Sequence, residues 1–317
     1  MTVRCAILDD YQNVALTCAD WSALLPDVEL TAFQDTVTGE ALTSRLAPFE
    51  VIVAMRERTP FDAALFGRLP NLRLLVTTGM RNASIDMGAA AARGITVCGT
   101  ASLGHPTPEL TWGLLLALAR HIPQEDAALR AGGWQTTLGT DLKGKTLGLI
   151  GFGRVAQAMA RYGTAFEMDV LAWSRSLTDQ AAAAGGARRA DGLAALLAEA
   201  DVVSLHVPLN ASTRHMIDAA ALSTMKRSAY LLNTSRAGVV DTEALAAALH
   251  GGRIAGAAVD VHDPEPLNGA SPLVTAPNTV LTPHLGYVSR DNYAGFYTEA
   301  AQNIRAWLDG SPIRVLG

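Results

Sequence analysis

The sequence predicts an α/β fold built from two doubly wound parallel sheets, and three observations carry that prediction. Short apolar runs rich in β-branched residues alternate with helix-like stretches over residues 1–100. The same alternation then starts afresh and continues nearly to the end of the chain. The second series opens on a glycine-rich turn between an apolar strand and a helix.

In the first series, strands are predicted over 3–10 (VRCAILDD), 51–55 (VIVAM), 72–78 (LRLLVTT) and 95–99 (ITVCG). Their near-continuous apolar character suits strands covered on both faces, as in a parallel sheet. Helix-like segments, GEALTSRLAPF and IDMGAAAARG, lie between them. The apolar stretch 109–121, ELTWGLLLALARH, is a candidate buried helix. It is shorter than the ~20 residues that a membrane span needs. It suits internal core or a subunit interface equally well. In the second series the strands are 146–151, 169–173, 201–208, 229–235, 256–261 and 279–284, with helices over 154–166, 192–198, 219–225 and 241–250. That is a six-strand doubly wound pattern. An amphipathic helix over 289–309 follows. No low-complexity linker marks a boundary, so the division near residue 100 rests on the restart of the pattern.

Composition narrows the function classes. The 317 residues are too many for one small core; 49% are hydrophobic and 17% charged, as in ordinary globular domains. A net charge of −5 with no basic stripe argues against nucleic acid as a partner. No signal-peptide pattern opens the chain, and no membrane partner is expected. Cys5, Cys18 and Cys98 are sparse and scattered, which suits reduced thiols in a cytoplasm better than disulfides or a metal site. The histidines show no metal-ligand spacing, so no metal is assigned.

The segment TLGLIGFGRVAQAMA puts Gly151, Gly153 and Ala156 at the positions of a G-x-G-x-x-G/A turn. The first glycine allows the tight turn, the second lets a pyrophosphate approach the backbone, and the small third residue lets helix and strand pack closely. Strand, turn, helix and second strand occur in order, so a dinucleotide site is expected. Arg154 and Val155 would offer backbone N–H groups to its phosphates. About twenty residues further on, such folds place an acidic residue that hydrogen-bonds the adenosine ribose. Here DVLAWSRS puts Ser174 and Arg175 there. Ser174 removes the charge that would repel a 2′-phosphate, and Arg175 offers it a charge-assisted fork. This reading favours NADP over NAD; an Arg175 that points to solvent, at a site without discrimination, is the other.

Three polar residues fall at or just past strand ends in the second series: Arg236 in NTSRAGVVD, Glu265 in VDVHDPEP and His284 in LTPHLG. In a doubly wound sheet those ends line the ligand crevice, on the same edge as the glycine turn. Together with TTGMRNASID and LHVPLNASTRHMI, in this order, the motifs resemble those of the D-isomer-specific 2-hydroxyacid dehydrogenases over nearly the whole chain. The resemblance implies a Rossmann cofactor domain (101–285) inserted in a flavodoxin-like substrate domain (1–100 and 286–317). It also implies a homodimer, and a small 2-keto acid as substrate. Glyoxylate or hydroxypyruvate reduction fits the resemblance.

In that chemistry a protonated imidazole, His284, donates a proton to the carbonyl oxygen as hydride reaches the carbon. Glu265 orients the ring and favours its charged form, and Arg236 grips the substrate carboxylate. Glu265 also argues against the formate dehydrogenase branch, which carries Gln there. By resemblance, His206, Pro208 and Thr213 lie beside the adenosine ribose and phosphates, Thr234 and Asp260 lie near the nicotinamide, and Thr111 makes a phosphate or nicotinamide contact. Met55, Arg56, Gly79, Met80 and Arg81 belong to the substrate loops. Arg81 and Ala83 depart from the family's T-G-x-G-x-D pattern in the second of these loops. Arg56 and Arg81 suit a second acidic group on the substrate; solvated loop charges are the alternative. A cofactor-sensing binding module, like the corepressors that share this fold, is the competing function class.

Overall fold

The structure is a computed structural model that describes residues 2–267 and 269–317. The chain forms two compact units: one runs to Leu103 and resumes at Ser289–Gly317, and the other is Gly104–Val288.

The first unit holds five parallel strands: β1 (Val3–Ile7), β2 (Val28–Ala32), β3 (Val51–Ala54), β4 (Leu74–Thr77) and β5 (Thr96–Gly99). Their order is β2-β1-β3-β4-β5, the flavodoxin-like winding. β3 and β4 are buried at every position, as strands covered on both faces must be. β2 is an edge strand that the sequence reading missed. VELTA is mostly half-exposed and carries a charge, so it lacks the apolar run that marks its neighbours. β1 is shorter than predicted. The chain turns at Asp9, whose φ is +58°, and the Asp10 carboxylate accepts hydrogen bonds from the Val14 and Ala15 amides.

The second unit holds β6 (Thr146–Ile150), β7 (Asp169–Trp173), β8 (Arg188–Arg189), β9 (Val202–Leu205), β10 (Tyr230–Asn233), β11 (Gly256–Val259) and β12 (Thr279–Leu281). The order β12-β11-β10-β9-β6-β7-β8 reverses direction between β6 and β9, as in dinucleotide-binding sheets. Among the described residues, seven strands replace the predicted six. The extra strand, β8, is two arginines long. Arg188 reaches Asp169 at 2.7 Å and also pairs with Glu199, so ion pairs hold this edge where apolar burial is small. The apolar stretch near 109–121 is the helix Pro106–Ala119, with proline at its first turn. Trp112, Leu114, Leu115 and Leu118 join Leu147, Leu149 and Leu232 in one core, which settles most of this helix as interior. Among the described residues, no helix is long and apolar enough to cross a membrane.

Candidate active site

Every strand of the second sheet runs parallel, so the residues after β6, β9, β10, β11 and β12 gather on one edge. After β6, Gly151 adopts φ +85°, and a Cβ there would sit 2.6 Å from the His206 carbonyl oxygen. Only glycine fits this turn. A Cβ on Gly153 would meet nothing within 4 Å, so open space lies over the turn. The helix Arg154–Ala165 that follows has no side-chain cap and no acidic residue in its first turn. Its leading N–H groups and positive dipole end are therefore unmatched by any side chain of its own, while Ala156 is fully buried against the sheet. Arg154 is exposed and Val155 half-buried. These features fit a dinucleotide pyrophosphate. At the end of β7, Ser174 is half-buried and Arg175 exposed.

After β9, the His206 ring nitrogen Nε2 is buried without a hydrogen-bond partner, and burial pushes the imidazole pKa down to about 4. Pro208 is exposed. The Thr213 hydroxyl donates to the Pro208 carbonyl at 2.6 Å and accepts from the Asn210 amide at 2.9 Å, so it organises this loop from within. Thr111 and Thr234 meet through their hydroxyls at 2.8 Å, and Thr111 also donates to the Thr107 carbonyl at 2.7 Å.

The ends of β11 and β12 carry a connected set of polar contacts. His284 stands at φ +56°, a left-handed conformation that costs a non-glycine residue about 1 kcal/mol and is held only by its surroundings. Its Nδ1 lies 2.7 Å from Glu265 Oε2, and the other Glu265 oxygen accepts the His262 amide at 2.8 Å. Burial pushes the Glu265 carboxyl up, but the hydrogen bond and charge of His284, with the His262 amide, outweigh it; the net shift is downward. The fully buried Asp260 carboxylate accepts from the Thr282 hydroxyl at 2.5 Å and from the Leu285 and Gly286 amides at 2.7 and 2.8 Å. It thus clamps the loop that carries His284, while its own burial raises its pKa. Tyr287 presents its ring edge-on to His284, with centroids 5.3 Å apart. Arg236 follows β10, two strands from β12 and so about 10 Å along the sheet edge. Its Nη1 donates to the Ser235 carbonyl at 2.7 Å, and its own carbonyl accepts from Asn233 at 3.0 Å.

In the first unit, the loops after β3 and β4 hold the other predicted residues. Arg56, at φ +52°, donates its amide to the Thr78 hydroxyl at 2.8 Å and its guanidinium to the Thr78 carbonyl at 3.2 Å. A Cβ on Gly79 would fall 1.9 Å from that guanidinium, so glycine makes the room for it. The Gly79 amide is engaged by the Thr100 hydroxyl at 2.9 Å. Met55 is buried and serves the core beneath the loop, whereas Met80 and Arg81 are exposed. Asn82, which sequence reasoning passed over, holds the loop together: its amide reaches the Arg56 carbonyl at 2.5 Å and the Thr77 hydroxyl at 2.9 Å. Among the described residues, no cluster of His, Cys, Asp or Glu side chains is arranged to hold a metal ion.

Comparison with known proteins identifies the family. Residues 112–286 match the family described as D-isomer specific 2-hydroxyacid dehydrogenase, NAD binding domain. The chain is 40% identical to the glyoxylate reductase of Thermococcus litoralis over 259 residues, 78% of each chain. It is 38% identical to the glyoxylate reductase of Aeropyrum pernix over 259 residues, 78% of this chain and 77% of that one. The crystal structure of a phosphoglycerate oxidoreductase from Vibrio cholerae O395 superposes with a TM-score of 0.93 at 37% identity, covering 98% of this chain and all of that one. The chain therefore belongs to the D-isomer specific 2-hydroxyacid dehydrogenase family, NAD(P)-dependent oxidoreductases that interconvert 2-keto and 2-hydroxy acids.

Proposed function

We propose that this protein reduces small 2-keto acids, glyoxylate and hydroxypyruvate among them, with NADPH preferred to NADH. His284 is the proton donor, Glu265 its orienting counter-charge and Arg236 the grip on the substrate carboxylate. The observation that carries the reading is the 2.7 Å contact between His284 Nδ1 and Glu265. A carboxylate only accepts, so Nδ1 holds a proton and Nε2 is the edge left to face the substrate. When bound, the nicotinamide would supply the hydride for the carbonyl carbon. His284 delivers the Nε2 proton to the carbonyl oxygen, and the ring keeps its Nδ1 proton on Glu265. In the reverse direction the neutral ring takes the hydroxyl proton back. The Arg236 guanidinium suits a carboxylate through paired charge-assisted hydrogen bonds. The glyoxylate reductases among the relatives support the choice of small keto acids.

The cofactor preference rests on Ser174 and Arg175, which leave no carboxylate at the end of β7. Arg56, seated over Gly79, and the exposed Arg81 support turnover of keto acids with a second carboxylate. Three free cysteines suit a cytoplasmic protein. A homodimer is supported by the exposed apolar residues Ile122, Leu129, Trp134 and Leu138.

The test follows absorbance of reduced cofactor with glyoxylate, hydroxypyruvate, oxaloacetate and phenylpyruvate, using NADPH and NADH in turn. Consumption with the small acids is expected, oxaloacetate included. Arg175→Ala is expected to weaken NADPH about ten-fold while leaving NADH nearly unchanged, the loss of a phosphate contact being about 1.4 kcal/mol. No turnover with any keto acid would point instead to the binding-module class. Equal losses with both cofactors would remove the NADP reading.

A further inference from the structure

From the hydrogen bonds of His262 we infer a further positioning residue for this reaction: its ring and backbone hold both members of the His284–Glu265 pair. The inference rests on the catalytic reading above. His262 is the third residue after β11. It is 9% exposed, and its side chain crosses to the neighbouring strand end, where Nε2 lies 2.9 Å from the Thr282 carbonyl. That carbonyl also accepts the His284 amide at 3.0 Å, closing the turn from which the His284 ring projects. Meanwhile the His262 amide donates to Glu265 at 2.8 Å. One residue thus donates to the carboxylate and to the turn that carries the imidazole.

The tautomer follows from the partners. A carbonyl can only accept, so Nε2 carries a proton, and in the neutral ring Nδ1 is then a bare acceptor. Nδ1 is buried without a hydrogen-bond partner, which costs free energy that a phenylalanine of similar volume would avoid. The bond to Thr282 offsets that cost and gives this position a polar task. The mechanical need for it is clear: His284 occupies a left-handed backbone conformation that neighbouring contacts must over-determine. Asp260 fixes the far side of the loop through the Leu285 and Gly286 amides and the near side through the Thr282 hydroxyl. His262 restrains the Thr282 carbonyl, which none of those bonds reaches.

Variants at this position separate positioning from bulk packing. His262→Phe keeps the volume and removes the donor. We expect kcat to fall about ten-fold or more, with KM for keto acid and reduced cofactor within about two-fold of the parent. His262→Gln, whose amide reaches as far as Nε2, should recover most of kcat, whereas the shorter His262→Asn should not. The Gln and Asn pair decides the matter if the Phe variant fails to fold. Nitrogen NMR of the ring provides a readout independent of turnover and should report a protonated Nε2. Parent-like kcat in His262→Phe, equal impairment of the Gln and Asn variants, or a bare Nε2 would each overturn the inference. Glu265→Gln and His284→Ala serve as controls. Should they retain parent kcat, the catalytic reading itself falls; should they lose it while His262→Phe does not, only the role of His262 falls.

Discussion

Burial without a partner keeps the His206 imidazole neutral, with a pKa near 4, whereas an exposed histidine in the unfolded chain titrates near 6.5. Between those values the unfolded chain binds a proton that the folded chain refuses. Stability is therefore full above pH 6.5 and declines as pH falls from 6.5 towards 4. His206→Phe should flatten that decline by about 2–3 kcal/mol at the low end, read from urea unfolding at several pH values. An unchanged decline would mean that the ring is hydrated. The carboxylates at the site behave differently. Glu265 is pushed up by burial but brought below its ordinary value by His284, so it stays ionised through neutral pH, while burial raises Asp260. At this scale the sequence set Arg236, Glu265 and His284 at or past strand ends, where they also stand in the fold, because polar residues there stand out from apolar runs. It did not expose His262 or Asn82. Their partners are backbone carbonyls 20 and 26 residues away, and a partner of that kind leaves no trace in residue type.

The β6–turn–helix unit is the element on which the cofactor reading depends. Gly151 adopts φ +85° and lies against the His206 carbonyl, so a single methyl group has nowhere to go. Gly151→Ala should destabilise the protein by about 1–3 kcal/mol and abolish binding of reduced cofactor. Thermal unfolding and quenching of cofactor fluorescence measure the two effects; parent-like binding would show that the turn tolerates a side chain. Elements with apolar runs were legible, and their centres fell where predicted. β2 and β8 were not, because edge strands bury little and carry charge. The short helices Ala63–Gly67 and Asp179–Ala184 also escaped, since one or two turns give too few residues for a periodic signal.

At the scale of the molecule, the helix Pro106–Ala119 is interior and the segment after it is exposed, a difference the sequence did not reveal. The helix buries Trp112, Leu115 and Leu118 in the core. The following stretch leaves Trp134 77% and Leu138 92% exposed, and a second copy of this chain is the occupant proposed for it. Trp134→Asp combined with Leu138→Asp should turn a dimer into a monomer in analytical ultracentrifugation, with the fold retained. A parent protein that sediments as a monomer would remove the proposal. The sequence by itself determined the winding class, the glycine turn and the strand ends that bear polar groups, because apolar periodicity and turn chemistry are local properties of the chain. Only the tertiary structure decided that Asp260 clamps the loop 282–286 and that His262 reaches Thr282. Those contacts depend on the register of β11 against β12, in which Val259 faces Leu281. Register is fixed by packing across strands, and the order of residues along one strand does not contain it.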